Sequence, residues 1–166
     1  MIITKADHND IETIMTIVDE AKRFLKENGV NQWQDGYPNR EAFKADIDAG
    51  RLYVVKDEER VIAVFAVVDH EETYDVIYEG SWSNDEPYIA VHRLAVEEAY
   101  KGRGVARFIF DELKKNHHHI KADTHQDNMN MQRCLLKNGF EYKGIIYLKR
   151  GSESDSKRLA YEYLKK

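Results

Sequence analysis

The chain has 166 residues, 42% of them apolar, and a formal net charge of −5. That length and composition predict one domain spanning residues 1–166 with a sizeable buried core, and the acidic balance argues against a nucleic-acid partner, so any anion site must be local. A lone Cys134 leaves no intramolecular disulfide and no cysteine-rich metal site. The charged opening "MIITKADHND" and the lack of an apolar run of membrane-spanning length predict a cytoplasmic protein with no membrane partner.

In chain order, "MIITKA" reads as a short strand, and Asp7 or Asn9 caps a helix whose apolar residues Ile11, Ile14, Met15, Val18, Ala21 and Leu25 share one face. Asn28 and Gly29 end it. The loop "NQWQDGYPN" leads to a second helix over about residues 40–49, and "LYVVK" and "VIAVFAVVD" follow as strands around the turn "DEER". The second of these is apolar on both faces, as expected of a central strand. Residues 69–86 are irregular and acidic. "YIAVHRLAV" is a strand, a helix runs from the glycine stretch to about Asn116, "HIKADT" is a strand, and a helix covers about residues 128–138. "FEYKGIIYLKR" and "RLAYEYLK" close the chain as antiparallel strands around the polar turn "GSESDS". Interleaved helices and strands predict an α/β architecture with a mixed sheet.

The stretch "AYKGRGVARFIFDEL" carries the chemistry. Gly102 and Gly104 allow close backbone approach, and the helix that follows, with Val105, Phe108, Ile109 and Leu113 on one face, would present its unpaired first N–H groups to the loop. Such a helix end binds phosphate, and Lys101, Arg103 and Arg107 could add charge pairing. Taken alone, two glycines fit a plain turn with solvated basic residues better than a phosphate site. The lysine and hydroxyl of a Walker A loop are absent after Gly104, and Arg107 stands where a dinucleotide fingerprint needs a third glycine.

Lys101-Gly102-Arg103-Gly104-Val105-Ala106 resembles the Q/R-x-x-G-x-G/A signature of the GNAT superfamily, the N-acetyltransferases that use acetyl-coenzyme A. Lysine replaces the usual first residue. "LAV" at Leu94, Ala95 and Val96 resembles the end of that family's fourth strand, and "DTHQDNMNMQRCLLKNGF" its fifth strand, Asn-led helix and the start of its sixth strand. The resemblance implies a GNAT-like fold of about seven strands and four helices, with acetyl-coenzyme A as cosubstrate and no metal. It implies coenzyme contact at Leu94, Ala95, Val96, Lys101, Gly102, Arg103, Gly104, Val105, Ala106, Asn128 and Met131. Asn128 also suits a helix N-cap.

By the same resemblance the two strands ending at Val96 and near Thr124 splay, the coenzyme arm enters between them, and the Val96 N–H polarises the thioester carbonyl. An amine, the expected small-molecule partner, attacks directly through a tetrahedral intermediate. The family's tyrosine acid maps onto Leu135, which cannot donate a proton, and this keeps a coenzyme-binding module or sensor as the alternative function. His92 is the expected base, because imidazole titrates near neutral pH and regular alternation puts it on the side of Leu94 and Val96. His125 is the second choice, and the run His117, His118 and His119 reads as a surface turn.

No Lys or Arg lies between Val61 and His92, whereas Asp69, Glu71, Glu72, Asp75, Glu79, Asp85 and Glu86 cluster there with Tyr74, Tyr78, Trp82 and Tyr88. This predicts attraction for a cationic amine. Trp33 and Tyr37, with Tyr78 and Trp82, are the expected acceptor contacts. The last two strands, or an exposed sheet edge, are where a homodimer would form, as in many relatives.

Overall fold

In the computed structural model, which describes residues 1–149 and 156–166, the expected alternation becomes a seven-stranded mixed sheet with four α-helices among the described residues. The strands are β1 (Ile2–Lys5), β2 (Leu52–Asp57), β3 (Arg60–Val68), β4 (Ile89–Val96), β5 (His119–Thr124), β6 (Glu141–Tyr147) and β7 (Lys157–Leu164), in spatial order β1-β2-β3-β4-β5-β7-β6. Every pairing is antiparallel except that of β4 with β5. The polar turn expected at residues 151–156 lies outside the described residues apart from Ser156.

Helix α1 (Ile11–Glu27) follows a capping box closed by Asp7 and Asp10. It buries Ile11, Ile14, Ile17, Val18 and Leu25, and joins Phe43 of α2 (Arg40–Asp48) against Val54, Val64, Ala66 and Ala95 on one face of the sheet. Helices α3 (Val105–Lys114) and α4 (Met129–Lys137) cover the other face, with Val105, Ile109, Phe110 and Leu135 packed among Ile62, Phe65, Val91 and Ile120. Burying one such aliphatic or aromatic side chain contributes about 1.5–3 kcal/mol. The acidic segment is folded onto the sheet, with Tyr74 in a short 3-10 turn (Glu72–Asp75) buried beside Ala90, Ile146 and Ala160. No described helix is long and apolar enough to cross a membrane.

Two irregularities place the site. The β4–β5 ladder consists of Ile89 with Ile120 and Ala90 with Lys121, after which the strands part. Within β4 the register to β3 slips, since Ala66 faces His92 while Val64 faces Ala95, so β4 carries one extra residue. Arg93 absorbs the bulge at φ 53°, a backbone conformation unusual for a side-chain-bearing residue. The bulge also overturns the expected alternation. Val91, Leu94 and Val96 pack together under α3 and α4, whereas the His92 ring lies on the Tyr74 side with Ala90.

The histidine run is likewise not all surface. His118 is exposed, but His119 is the first residue of β5 and is buried, with Nε2 2.6 Å from the Glu162 carboxylate.

Candidate active site

The sequence from Tyr100 to Arg107 builds an anion-ready helix end. Gly102 and Gly104 both take left-handed φ, 76° and 79°, which only glycine adopts freely. A Cβ built on either glycine meets no protein atom within 4 Å, so the space ahead of α3 is open. The first helical bond runs from the Phe108 N–H to the Gly104 carbonyl, 2.9 Å. The N–H groups of Val105, Ala106 and Arg107 precede it and have no acceptor within the helix. The helix dipole adds partial positive charge at that point. The loop therefore fits a phosphate group, held chiefly by backbone donors.

From the loop a cavity of about 750 Å³ runs into the gap between β4 and β5. Strand alternation fixes which groups of β4 face it. The Glu97 N–H donates to the Ile62 carbonyl at 2.8 Å, so Glu97 points to β3. The N–H and C=O of Val96, one residue earlier, point the other way, into the gap, and those of Leu94 follow suit. Beyond Ala90 no β5 residue pairs with them, which leaves a strand edge able to take an extended ligand.

At the apex of the gap, two residues past the last paired positions, His92 on β4 stands opposite Asp123 on β5. His92 Nε2 lies 3.0 Å from a carboxylate oxygen of Glu71, and Nδ1 lies 4.0 Å from Oδ2 of Asp123. The Tyr74 hydroxyl donates to that same Asp123 oxygen at 2.5 Å. The hydrogen bond from His92 holds the Glu71 carboxyl at about 2, against the opposing effect of its burial. Burial pushes the Tyr74 hydroxyl well up, and the neighbouring Asp123 charge adds to it. An ionised carboxylate only accepts, so the Glu71 contact puts a proton on Nε2 of His92.

Beside this cluster a buried ion pair fixes the bulge. Arg93 donates through Nε and Nη2 to the two carboxylate oxygens of Asp46, at 2.7 and 2.9 Å, and through Nη1 to the Tyr37 hydroxyl at 3.2 Å. Asp46 is 1% exposed and also accepts from Arg51 at 2.6 Å. The pair ties α2 and the loop after α1 to the strand that carries His92.

The expected residues divide cleanly. His92, Leu94, Ala95, Val96, Lys101, Gly102, Gly104, Val105, Ala106, Asn128, Met131, Trp33 and Tyr37 all line the cavity. Arg103 does not, as its guanidinium sits over the Tyr100 ring at 5.4 Å. Lys101 keeps its ammonium 3.6 Å from the centre of the Phe24 ring. Asn128 caps α4, its carbonyl oxygen accepting from the Met131 N–H at 3.1 Å, while its amide donates to Gln32 at 3.0 Å.

His125 is outside the lining, buried, with Nδ1 accepting from the Asp127 N–H at 3.0 Å. Tyr78 and Trp82 are not in the cavity either. Tyr78 is exposed, edge-on to Tyr147, and Trp82 donates its indole N–H to the Tyr74 carbonyl. Of the acidic residues between 69 and 86 only Glu71 reaches the lining. Glu72 pairs with Lys149 and Asp75 with His70 on the exposed side. Leu135 and Cys134 both border the cavity, and burial pushes the Cys134 thiol up.

Sequence reading passed over Asp123, Arg93 and Asp46. Asp46 carried no signal. Asp123 could have been found as the residue that parallel register sets opposite His92 once the ladder ends.

The acetyltransferase (GNAT) family model matches residues 13–140. Among solved structures, a GNAT-family acetyltransferase of Streptococcus agalactiae 2603 is similar at 36% identity and TM-score 0.90, covering 99% of this chain and 95% of that one. A GNAT-family acetyltransferase of Bacillus cereus ATCC 10987 superposes at TM-score 0.63 and 20% identity, over 99% and 97% of the two chains. A Vibrio cholerae spermidine N-acetyltransferase chimera does so at 0.66 and 11%, over 98% and 94%. The latter two share the fold alone. No curated protein sequence matches.

Proposed function

The chain belongs to the GNAT family of acetyltransferases, and from that premise we propose that it moves the acetyl group of acetyl-coenzyme A to a primary amine of a small molecule. The observation that carries this reading is the continuous path from the open α3 N-terminus, along the unpaired edge of β4, to His92 at the apex of the gap.

The residues divide the work along that path. Backbone N–H groups of Val105, Ala106 and Arg107, with Lys101 beside them, hold the coenzyme's pyrophosphate. The β4 edge pairs with the extended arm. The Val96 N–H donates into the gap, and the Leu94 N–H does so two residues nearer His92. These are the donors placed for a thioester carbonyl oxygen on which negative charge develops. Trp33 and Tyr37 wall the acceptor side. His92, oriented by Glu71, takes one proton from the acceptor, which enters as its ammonium and becomes the neutral amine that attacks. The new C–N bond forms at the thioester carbon, the C–S bond breaks with its electron pair on sulfur, and sulfur takes up the second proton shed by nitrogen. The products are an amide, free coenzyme A, and the proton left on His92.

A second reading, a coenzyme-binding module or sensor that transfers little, is favoured by Leu135 at the position of the family tyrosine. Thiol release from acetyl-coenzyme A in the presence of a panel of primary amines separates the two. The transferase reading predicts amine-dependent release that is lost in His92→Ala. Coenzyme binding without release from any amine would establish the module instead.

A further inference from the structure

Nδ1 of His92 and Oδ2 of Asp123 face each other across the apex of the gap at 4.0 Å, beyond hydrogen-bond length. With the Nε2 proton committed to Glu71, Nδ1 of a neutral imidazole is an acceptor, and so is the carboxylate opposite. Two acceptors therefore face each other, and among the described residues no side-chain donor is hydrogen-bonded to both. The Tyr74 hydroxyl already donates to Asp123 and cannot serve both. Arg93, the nearest cation in sequence, is spent on Asp46 and the Tyr37 hydroxyl. Lys121, two residues before Asp123, turns its ammonium to the rings of Tyr88 and Trp82, 3.9 and 4.2 Å from their centres.

Resting on the acetyl-transfer reading, we propose that His92 and Asp123, with Glu71 and Tyr74 behind them, form a cradle for the acceptor's own ammonium group, which selects aliphatic primary amines that arrive protonated. The N–H bonds of one ammonium nitrogen reach two acceptors about 4–5 Å apart at ordinary hydrogen-bond lengths. The nitrogen's single N–C bond carries the substrate chain toward the Trp33 and Tyr37 wall, and its third N–H is left over. Both Glu71 and Asp123 border the cavity, so the cradle opens to the acceptor side. The proton to be removed then lies on the group bound to Nδ1. Its transfer leaves a neutral amine with a free electron pair and an imidazolium between two carboxylates. Asp123 contacts the substrate, whereas Glu71 is a positioning residue that fixes the ring and its tautomer.

Hexylammonium chloride and 1-hexanol, matched in shape and differing in charge, test the cradle without turnover. The whole protein carrying 15N-labelled histidine is titrated with each, and the His92 imidazole signals are identified by their loss in His92→Gln. The cradle predicts that hexylammonium shifts Nδ1 of His92 to saturation while hexanol leaves it in place. In Asp123→Asn the hexylammonium dissociation constant should rise roughly ten- to a hundredfold, as for loss of a charge-assisted hydrogen bond. Glu71→Gln should change the starting Nε2 signal and weaken hexylammonium binding by less than Asp123→Asn does. Equal shifts by hexanol and hexylammonium, or undiminished binding in Asp123→Asn, would overturn the cradle. The contrast in the wild-type protein stands even if the variant fails to fold. Failure of the transfer reading itself would appear elsewhere, as acetyl-coenzyme A that releases no thiol with any primary amine.

Discussion

At the residue scale, each group along the cavity has surroundings that define one job. Gly104 holds left-handed backbone at the start of α3 with open space ahead of it. Gly104→Asp would put a negative side chain at the proposed phosphate site, at a backbone cost of about 1–2 kcal/mol. Coenzyme affinity measured by calorimetry should fall tenfold or more while the protein still folds. Unchanged affinity would remove the phosphate assignment. Glu71 gives a pH prediction whose sign follows from its depressed carboxyl, about 2 against an ordinary 4.5. A carboxylate favoured in the folded state contributes stability that is complete above its unfolded value and is lost as pH falls through the folded one. The stability advantage of the wild type over Glu71→Gln should therefore shrink as pH drops from about 4.5 to about 2. Urea unfolding at several pH values reads this, and an advantage constant across the window would contradict it.

At the scale of elements the bulge in β4 decides what faces the cavity, and it is held from outside the strand. Asp46, on α2, is the buried partner of Arg93. Asp46→Ala would leave that guanidinium uncompensated and should cost about 3–5 kcal/mol, lowering the unfolding temperature by very roughly 6–20 °C. Arg51→Ala removes a more exposed partner of the same carboxylate and should cost about 1 kcal/mol or less. Equal effects would mean that Asp46 does not brace the bulge. These elements also explain what could be read beforehand. The strands were legible because apolar runs such as "VIAVFAVVD" are local signals, and the end of α1 because Gly29, just past the Asn28 cap, takes left-handed φ 70°. The extra residue in β4 was not. Its register is set by β3 and by an ion pair 47 residues away, so His92 turned to the opposite side from Leu94. The acidic segment misled in the same way, since charge density does not say that Glu71 alone turns inward.

At the scale of the whole molecule the net charge of −5 makes the glycine loop a local exception, where backbone donors and Lys101 gather at one end of a long cavity. That end was legible because its signature is contiguous from residue 101 to 106. The other end was not, because it joins Glu71, His92 and Asp123 from three separate segments. The central claim is that this cavity binds acetyl-coenzyme A, and thermal unfolding of the whole protein with acetyl-coenzyme A, ATP or NAD tests it most directly. At about a hundred times its dissociation constant a ligand stabilises by about 2.7 kcal/mol, which is very roughly 5–11 °C for a chain of this size. A shift of that order with acetyl-coenzyme A and not with ATP or NAD is the predicted result. No shift at any concentration, or equal shifts with all three, would contradict the account.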